Sequence, residues 1–293
     1  MNRWPVSIWS GYFSDLSCEE MVDKFIEHGF YATEFSVEHG VESMEKAKAS
    51  GSLNAYEKEG LKLRKFFEDH DFYVPQGHLE FHFDITLPET RDLLKRQIEM
   101  YLGIGIRNMV LHATGDKETD PEGFPRYERL VAALNELAPS VKGTDAKLCL
   151  ENLGSSKYAC SSEKLLKLIG DTDDPEAFGI CLDTGHLNLN THNGFFPETQ
   201  AGFVENAGNR LLALHIAGNM GEYDDHLMPF NGKQKNAPNW VSLMRALRSS
   251  SYDGLFNFEI PGERCPSLAV RLIKLDYVKK IADFMQDESF LFQ

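Results

Sequence analysis

The sequence predicts an α/β protein with the fold of a (β/α)8 TIM barrel. The first observation is that eight short apolar runs alternate with helix-like stretches along the 293 residues. The second is that the runs are largely apolar instead of alternating with polar residues, which is typical of parallel strands covered by helices. Eight such units close naturally into a barrel of about 250 residues. We therefore expect residues 1–293 to form a single barrel domain.

The predicted strands recur along the whole chain and are rich in residues that favour strands. In chain order they are PVSIWSGYF (5–13), YATEFSV (31–37), FYVPQGHL (72–79), NMVLHAT (108–114), KLCLENL (147–153), FGICLDTGH (178–186), LLALHIAGN (211–219) and GLFNFEIPG (254–262). Helix-like stretches with apolar residues at helical spacing lie between them, the clearest being 18–29, 87–105, 239–250 and 267–285. The first of these ends on Gly29, and the second has Pro88 near its start, as helices commonly do.

A doubly wound open sheet is the alternative fold. Such a sheet carries a glycine-rich phosphate-binding turn directly after its first strand, and GYFSD (11–15) does not match that pattern. The barrel is therefore preferred. In a barrel the carboxyl ends of all strands meet at one mouth, where active sites lie.

Composition and charge limit the class of protein. Apolar residues make up 42% of the chain and charged residues 26%, as in ordinary globular proteins. We expect no membrane span and no signal peptide, because the apolar segments are too short. The five cysteines lack regular spacing, which favours a reducing, cytoplasmic setting. The formal net charge of −15 argues against nucleic acid as a partner. We expect a small-molecule partner, and the sequence leaves a homo-oligomer open.

Residues that can bind metal stand at the ends of the predicted strands. They are Glu34, His78, His112, Glu151, Asp183, His186, His215 and Glu259. One such residue alone is commonly a structural histidine or a surface charge. Their recurrence once per unit is different, because unpaired ionisable groups at one barrel mouth would be costly to desolvate. Imidazoles and carboxylates are ligands of divalent metals, so the pattern predicts metal binding.

The segment after the seventh run adds two residues of the same kind. Residues 218–236 are long, polar and non-periodic, which is typical of a functional loop. Within it, Asp224 and His226 form a D-x-H pair. An acidic surface turn is the alternative interpretation of this pair.

Seven short motifs together resemble those of the xylose-isomerase-like barrel superfamily. They are GHLEF, LHATG, ENLG, CLDTGH, LHIAGN, DDHLMPFNGK and FNFEIPGE, and they span nearly the whole chain. The superfamily contains sugar isomerases, sugar epimerases, dehydratases and DNA-repair enzymes of the endonuclease IV type. The resemblance implies a metal-dependent enzyme and leaves its substrate open.

The resemblance also implies roles for individual residues. The isomerases and epimerases hold one divalent metal, which here implies the ligands Glu151, Asp183, His215 and Glu259. It implies that Glu151 and Glu259 also act as the catalytic acid and base, and that His186 contacts substrate oxygens. Endonuclease IV holds three zinc ions, which implies the further candidate ligands His78, His112, His186, Asp224 and His226. All nine ligand types are therefore present.

Two departures from the family patterns bear on the substrate. Ketose epimerases have an arginine shortly after the histidine of the seventh strand, and residues 215–223 contain none. This departure argues against a free-ketose epimerase. The endonuclease has D-R-H where this chain has Asp225 between Asp224 and His226, and this departure argues against DNA.

The leading hypothesis is a metal-dependent isomerase or epimerase of a sugar, sugar acid or sugar phosphate. One carboxylate would remove a proton from the substrate, a divalent metal would stabilise the enediolate, and a second group would return the proton. The metal would be Mn, Mg, Co or Zn, with one to three ions. We expect His186, His78 and Glu34 to contact the sugar, and Trp9, Phe13, Phe81 and Phe83 are candidates for the pocket wall.

Three alternatives remain. One is a zinc phosphoesterase of the endonuclease IV type that acts on abasic DNA, for which Lys233, Lys235 and Arg264 are scattered basic candidates. The others are a dehydratase of the keto-sugar or inositol type and a non-catalytic metal-binding barrel.

The layer beneath the predicted ligands follows from the alternation of side chains along a strand. It should contain Gln76, Val110, Cys149, Cys181, Ala213 and Asn257. The two cysteines could bind a second metal or form a disulfide, but free buried cysteine is commonly core filler. We predict that Cys149 and Cys181 are buried, unpaired and unreactive.

Overall fold

The computed structural model describes residues 4–81, 83–115, 126–154, 156–192, 196–231, 234–262 and 267–292. Within these ranges it has eight strands: β1 Val6–Trp9, β2 Ala32–Phe35, β3 Tyr73–His78, β4 Asn108–Leu111, β5 Lys147–Glu151, β6 Phe178–Asp183, β7 Leu211–His215 and β8 Phe256–Phe258. They form one parallel sheet in the order β7-β6-β5-β4-β3-β2-β1-β8. The predicted (β/α)8 barrel is confirmed.

The barrel closes between β7 and β8 through Ile216, which follows β7. Ile216 and Phe258 form a parallel bridge. The amide of Ile216 donates to the carbonyl O of Asn257 at 2.7 Å, and its carbonyl O accepts from the amide of Glu259 at 3.3 Å. The carboxyl ends of all eight strands therefore surround one mouth.

Helices cover the outside of the sheet. In the described residues they are α1 Cys18–Glu27, α2 Val41–Ser50, α3 Ala55–Asp69, α4 Pro88–Ile104, α5 Tyr127–Leu137, α6 Ser162–Gly170, α7 Thr184–His192, α8 Gln200–Ala207, α9 Trp240–Ser249 and α10 Leu268–Met285. Their ends carry the expected signals. Ser17 and Glu20 form a reciprocal capping box at the start of α1, and Gly105 ends α4 with φ +95°. None of the described helices is long and apolar enough to cross a membrane.

The helices α3 and α4 pack unusually closely, at two glycines. A Cβ atom on Gly60 would lie 2.1 Å from the carbonyl O of Met100, and one on Gly103 would lie 2.3 Å from the carbonyl O of Glu57. Both distances are far inside van der Waals contact with backbone atoms, which cannot move aside as a flexible side chain can. The packing of these two helices therefore requires glycine at both positions.

Every predicted run is longer than the strand that forms, and the first and sixth runs continue into helices. β1 ends at Trp9, and Ser10–Phe13 form a 3-10 helix that turns back into the core. Phe13 is fully buried there against Tyr12 and Phe25, so its predicted place in a pocket wall is wrong. β6 ends at Asp183, and α7 begins at the next residue.

The barrel interior below the mouth contains a small apolar layer. Val110, Cys149, Cys181 and Ala213 pack together there and are completely inaccessible to solvent. The prediction that both cysteines are buried and unpaired is confirmed. Burial raises the pKa of both thiols, and their lack of reactivity stays a prediction.

Candidate metal centre

The predicted ligands lie together at the mouth of the barrel. Glu151, Asp183 and His215 are the last residues of β5, β6 and β7, and Glu259 directly follows β8. Adjacent strands hold them at similar height, since Asp183 is in register with His215. None of the four is more than 9% exposed. Residues more than 100 positions apart in sequence are thus brought to one buried site.

These four residues form what we call the central cluster. One ligating atom of each lies within 4.8 Å of those of the others. Nδ1 of His215 is 3.1 Å from Oε2 of Glu259, 3.3 Å from Oε2 of Glu151 and 4.0 Å from Oδ2 of Asp183. One imidazole nitrogen facing three carboxylates is a donor set that suits a divalent cation.

Buried atoms of the central cluster lack the hydrogen bonds that burial normally requires. They are Oε1 of Glu151, Oδ2 of Asp183, Nδ1 of His215 and Oε2 of Glu259, and none has a well-oriented partner within the described residues. Leaving such a group unsatisfied costs about 1–3 kcal/mol, and more when it is charged. A cation in the central cluster would compensate unsatisfied groups of this kind, so the residues present fit a metal.

A second cluster consists of His78, His112 and Glu151. Oε2 of Glu151 is 3.0 Å from Nε2 of His112 and 3.3 Å from Nε2 of His78. Nδ1 of His78 is 2.7 Å from the carbonyl O of Leu79, which can only accept, so in the neutral ring the lone pair of Nε2 faces Glu151. The ring of Phe81 lies 5.0 Å from that of His78 and 5.4 Å from that of His112, which gives the cluster an apolar wall.

A third cluster consists of His186, Asp224 and His226. Nε2 of His186 and Nε2 of His226 are 3.1 and 3.3 Å from the same oxygen, Oδ2 of Asp224. Nδ1 of His186 donates to the carbonyl O of Asn152, and Nδ1 of His226 donates to the carbonyl O of Glu259. Both Nε2 lone pairs therefore face a carboxylate when the imidazoles are neutral, an arrangement that a cation between them would stabilise.

Burial and mutual contact shift the pKa values of these groups. Burial raises the pKa of Asp183 to about 7. Burial would raise the pKa of Glu259, but His215 and His226 outweigh burial and lower that pKa to about 2. Burial lowers the pKa of His226, but Glu259 and Asp224 outweigh that effect and raise it to about 10. In the absence of a cation, protons therefore balance the carboxylate charges.

Glu34 lies deeper than the other predicted site residues. It is completely inaccessible to solvent, and its Oε2 accepts a hydrogen bond from Nε2 of His215 at 2.9 Å and another from Nε2 of Gln76. The structure thus brings Glu34 to the back of the central cluster. Its predicted contact with substrate stays a prediction, as do the predicted contacts of His186 and His78.

Asn152 is a site residue that the sequence interpretation missed. Its side-chain amide donates to the carbonyl O of Asp183 at 2.9 Å, and its Oδ1 accepts from the amide of Asp183 at 2.8 Å. Its own carbonyl O accepts from His186. The ENLG motif contains this residue beside Glu151, and that adjacency was the available signal. Asn152 links the end of β5 to the end of β6 and orients two predicted ligands.

The remaining predicted residues lie near the mouth or outside the described ranges. The indole N–H of Trp9 donates to the carbonyl O of Ile260 at 3.1 Å, beside the end of β8. Phe83 is exposed on the loop after β3, and Lys235 is exposed on the loop after β7. Lys233 and Arg264 lie outside the described residues.

Two curated proteins are similar to the chain in sequence. The uncharacterized protein y4fM of Sinorhizobium fredii is 27% identical over 190 residues, 62% of this chain. A probable endonuclease 4 of Halorhodospira halophila is 27% identical over 169 residues, 53% of this chain. The chain spans a little more than half the length of these relatives, 56% of each.

Solved structures of sugar epimerases have the same fold over nearly their whole length. An L-ribulose 3-epimerase superposes with a TM-score of 0.71 at 17% identity, covering 98% of this chain and 95% of that one. A D-tagatose 3-epimerase-like protein gives 0.69 at 19% identity, covering 97% and 99%. The 3-keto-D-glucoside 4-epimerase YcjR of E. coli gives 0.70 at 16% identity, covering 95% and 100%.

A family model described as the xylose isomerase-like TIM barrel matches residues 33–287. The matched range contains β3 to β8, all of β2 except its first residue, and every residue of the three clusters. The eight parallel strands, the candidate ligand residues at their carboxyl ends and this match agree with one another, and the chain belongs to the xylose isomerase-like TIM barrel family.

Proposed function

We propose that this protein is a divalent-metal-dependent isomerase or epimerase acting on a sugar or a sugar derivative. The observation that carries the proposal is the approach of two glutamates to one atom. Oε2 of Glu151 and Oε2 of Glu259 lie 3.3 and 3.1 Å from Nδ1 of His215, although they come from separate strands. Two carboxylates that reach one small volume can remove a proton from a substrate carbon and return it.

The central cluster would hold the metal. Bound there, a divalent cation supplies positive charge that acidifies a C–H bond beside a carbonyl and balances negative charge on substrate oxygens. Mn, Mg, Co and Zn are the candidates, because mixed carboxylate and imidazole sets accommodate each of them. The second and third clusters would hold up to two further ions.

The residues of the chain would perform the proton transfers. One oxygen of Glu151 or of Glu259 takes the proton from the substrate carbon, and the other glutamate or the same one returns it. Burial of both side chains keeps bulk water away from the transferred proton. His186 and His78, at the edges of the site, would orient the oxygens of the sugar, and Phe81 would cover an apolar face of it.

The names of the similar structures support this class of reaction. An L-ribulose 3-epimerase, a D-tagatose 3-epimerase-like protein and a 3-keto-D-glucoside 4-epimerase share the fold of this chain. The first two names specify carbon 3 and the last carbon 4, so the fold accommodates more than one position of reaction. The sugar and the reacting carbon of the present protein are therefore best found by screening.

Proton exchange at carbon tests the proposal. The protein, loaded in turn with Mn, Mg, Co or Zn, is incubated with a panel of ketoses, keto-sugars, sugar acids and sugar phosphates in deuterated water. We expect deuterium at carbon in at least one sugar, abolished in Glu151→Gln and Glu259→Gln but not in the exposed control Glu163→Gln. A product that has lost water relative to the substrate would instead assign a dehydratase. No exchange with any metal and sugar would contradict the proposal.

A phosphoesterase acting on abasic DNA is the second candidate. The observation that favours it is that nine residues form three ligand clusters, with Glu151 shared between two of them. A relative named as a probable endonuclease 4 agrees with it. The net charge of −15 opposes it, because binding to the DNA backbone requires a basic surface. Metal-dependent incision of abasic duplex at physiological salt would reverse the order of the two candidates.

Compartment and assembly complete the proposal. Cys149 and Cys181 are unpaired, which agrees with the reducing, cytoplasmic setting that we propose. A small sugar is the proposed partner, and a homo-oligomer is compatible with the acidic surface. Size-exclusion chromatography with light scattering would determine the oligomeric state.

A further inference from the structure

Glu34 has a position that neither proton transfer nor metal binding explains. It lies on β2, and its side chain crosses the barrel interior to reach His215 on β7. It is completely buried, and its Oε1 has no hydrogen-bond partner within the described residues. Burying a carboxylate is expensive unless neighbouring groups compensate it. The contacts of its other oxygen should therefore show what it does.

Those contacts determine which nitrogen of His215 carries the proton. A carboxylate oxygen only accepts hydrogen bonds, so Nε2 of His215, 2.9 Å from Oε2 of Glu34, is the protonated nitrogen. Nδ1, on the opposite edge of the ring, is then unprotonated once the ring is neutral. Nδ1 is also the atom that faces the three carboxylates of the central cluster.

Glu34 is itself held in place from the next strand. Nε2 of Gln76 donates to the same Oε2 that receives the hydrogen bond from His215. Glu34 and Gln76 are in register on β2 and β3, so the sheet geometry fixes the carboxylate as well as its partner. The chain Gln76–Glu34–His215 therefore runs beneath the mouth and ends at the central cluster.

We infer that Glu34 is a positioning residue, which holds His215 in the tautomer and orientation that present the Nδ1 lone pair to a metal in the central cluster. The inference rests on the proposed function in one respect, that this cluster binds a divalent cation. A carboxylate behind a ligating imidazole fixes the ring and makes it a stronger ligand, and removing such a group commonly lowers metal affinity about 10- to 100-fold.

The test uses Glu34→Gln, which removes the charge but keeps the size of the side chain. The matched control is Glu38→Gln, the same change at an exposed residue four positions later on the chain. Metal affinity is measured by competition with a chelator, using zinc and cadmium. The tautomer of His215 is read by NMR on protein with isotope-labelled histidine and NMR-active cadmium, and the signal is assigned as the one missing from His215→Asn.

In the parent protein we expect cadmium coupling at Nδ1 of His215 and a proton on Nε2 at the chemical shift of a strong hydrogen bond. In Glu34→Gln we expect affinity about 10- to 100-fold lower and a shifted or solvent-exchanged Nε2 proton, with no change in Glu38→Gln. A melting curve identifies misfolding, and if Glu34→Gln does not fold, Gln76→Leu should produce a weaker form of the same NMR shift.

Two results would overturn the inference. The first is unchanged metal affinity and an unchanged His215 signal in folded Glu34→Gln, with an unchanged KM. The second is the same pair of unchanged readouts with a raised KM, which would assign Glu34 to substrate binding instead. The proposed function would survive either result, because both require a parent protein that binds metal. A parent that binds no divalent cation would overturn the inference and the proposed function together.

Discussion

The backbone amide of His186 donates a hydrogen bond of 2.6 Å to Oδ1 of Asp183. The two residues are three positions apart, which is the spacing between a helix cap and the amide it accepts from, and α7 begins between them at Thr184. One oxygen of Asp183 therefore starts a helix, while the other, Oδ2, is left for the central cluster. The same carboxylate serves the fold and the site.

This division predicts that Asp183→Asn separates the two roles. The amide oxygen of asparagine can still accept from His186, so α7 should form and stability should change little. The amide NH2 then replaces Oδ2 and presents donors where a cation needs an acceptor. We expect metal affinity to fall at least about 10- to 100-fold if the lost oxygen is a direct ligand, as measured by chelator competition.

Two controls belong to this experiment. Asp173→Asn makes the same change at an exposed aspartate outside the clusters and should leave metal affinity unchanged. Asp183→Ala removes both oxygens and should lower stability as well, because losing a helix cap costs about 0.5–2 kcal/mol. Parent-like metal affinity in Asp183→Asn would show that Asp183 is not a ligand.

The sequence predicted the fold and most members of the site because both depend on strand ends. A residue at the carboxyl end of a parallel barrel strand lies near the mouth, and this was sufficient to predict that Glu151, Asp183 and His215 come together. The boundaries at Phe13 and His186 could not be read from apolar runs, because a run continues through a 3-10 helix or a helix start without changing composition. Local hydrogen bonds determine where such a strand stops.

The contacts of Glu34 and Asn152 were beyond reach of the sequence for a different reason. Glu34 ends a run like the other ligands, and only the path of its side chain across the barrel shows that it meets the back of His215. Asn152 acts through its backbone as well as its side chain. Neither the direction of a side chain nor a backbone contact between strands is encoded in residue type alone.

Metal binding should release protons and strengthen as pH rises. In the metal-free protein, burial lowers the pKa of His226, but Glu259 and Asp224 outweigh this and raise it to about 10. Burial lowers the pKa of His215 and of His186 too, but neighbouring groups, Cys181 and Glu259 foremost at His215 and Asp183 and Asp224 at His186, outweigh it and raise both pKa values well above the usual value. A ligating imidazole must be neutral, so at pH 7 a cation has to displace these protons.

Calorimetry in buffers of different ionisation enthalpy measures this release directly. We expect more than one proton per protein at pH 7, and an affinity that increases by about tenfold per pH unit for each displaced proton. His226→Asn should release fewer protons and bind one ion fewer, whereas the exposed control His70→Gln should match the parent. An affinity independent of pH between about 6 and 8 would contradict the prediction.

Substitution of either glycine at the α3–α4 contact should destabilise the protein. Alanine at Gly60 or Gly103 improves intrinsic helix propensity by about 1 kcal/mol. Its Cβ would nevertheless lie 2.1 or 2.3 Å from a backbone carbonyl O, and overpacking of this kind typically costs about 1–3 kcal/mol. We expect the steric cost to win, so that urea denaturation shows a net loss of stability for both variants.

Gly170→Ala is the matched control for these two glycines. Gly170 ends α6, and a Cβ there would meet no atom within 4 Å. Alanine at this position should leave stability unchanged or raise it by about 0.4–1 kcal/mol, through the lower entropy of the unfolded chain. A stabilised Gly60→Ala protein would mean that the two helices do not pack as closely as described.

Replacement of Cys149 and Cys181 by serine should cost stability and leave metal content unchanged. The thiol of Cys181 lies within 4.8 Å of ligating atoms of Glu151 and His215, so a thiolate ligand is the competing interpretation. Burial raises the pKa of Cys181 far above its usual value, which leaves a protonated thiol, and it is the thiolate that binds metal. Each buried serine hydroxyl without a partner should cost about 1–3 kcal/mol.

We expect no labelling of either thiol in the folded protein, and only a small loss of stability in the partly exposed control Cys18→Ser. Loss of metal from Cys181→Ser but not from Cys149→Ser would instead make Cys181 a ligand.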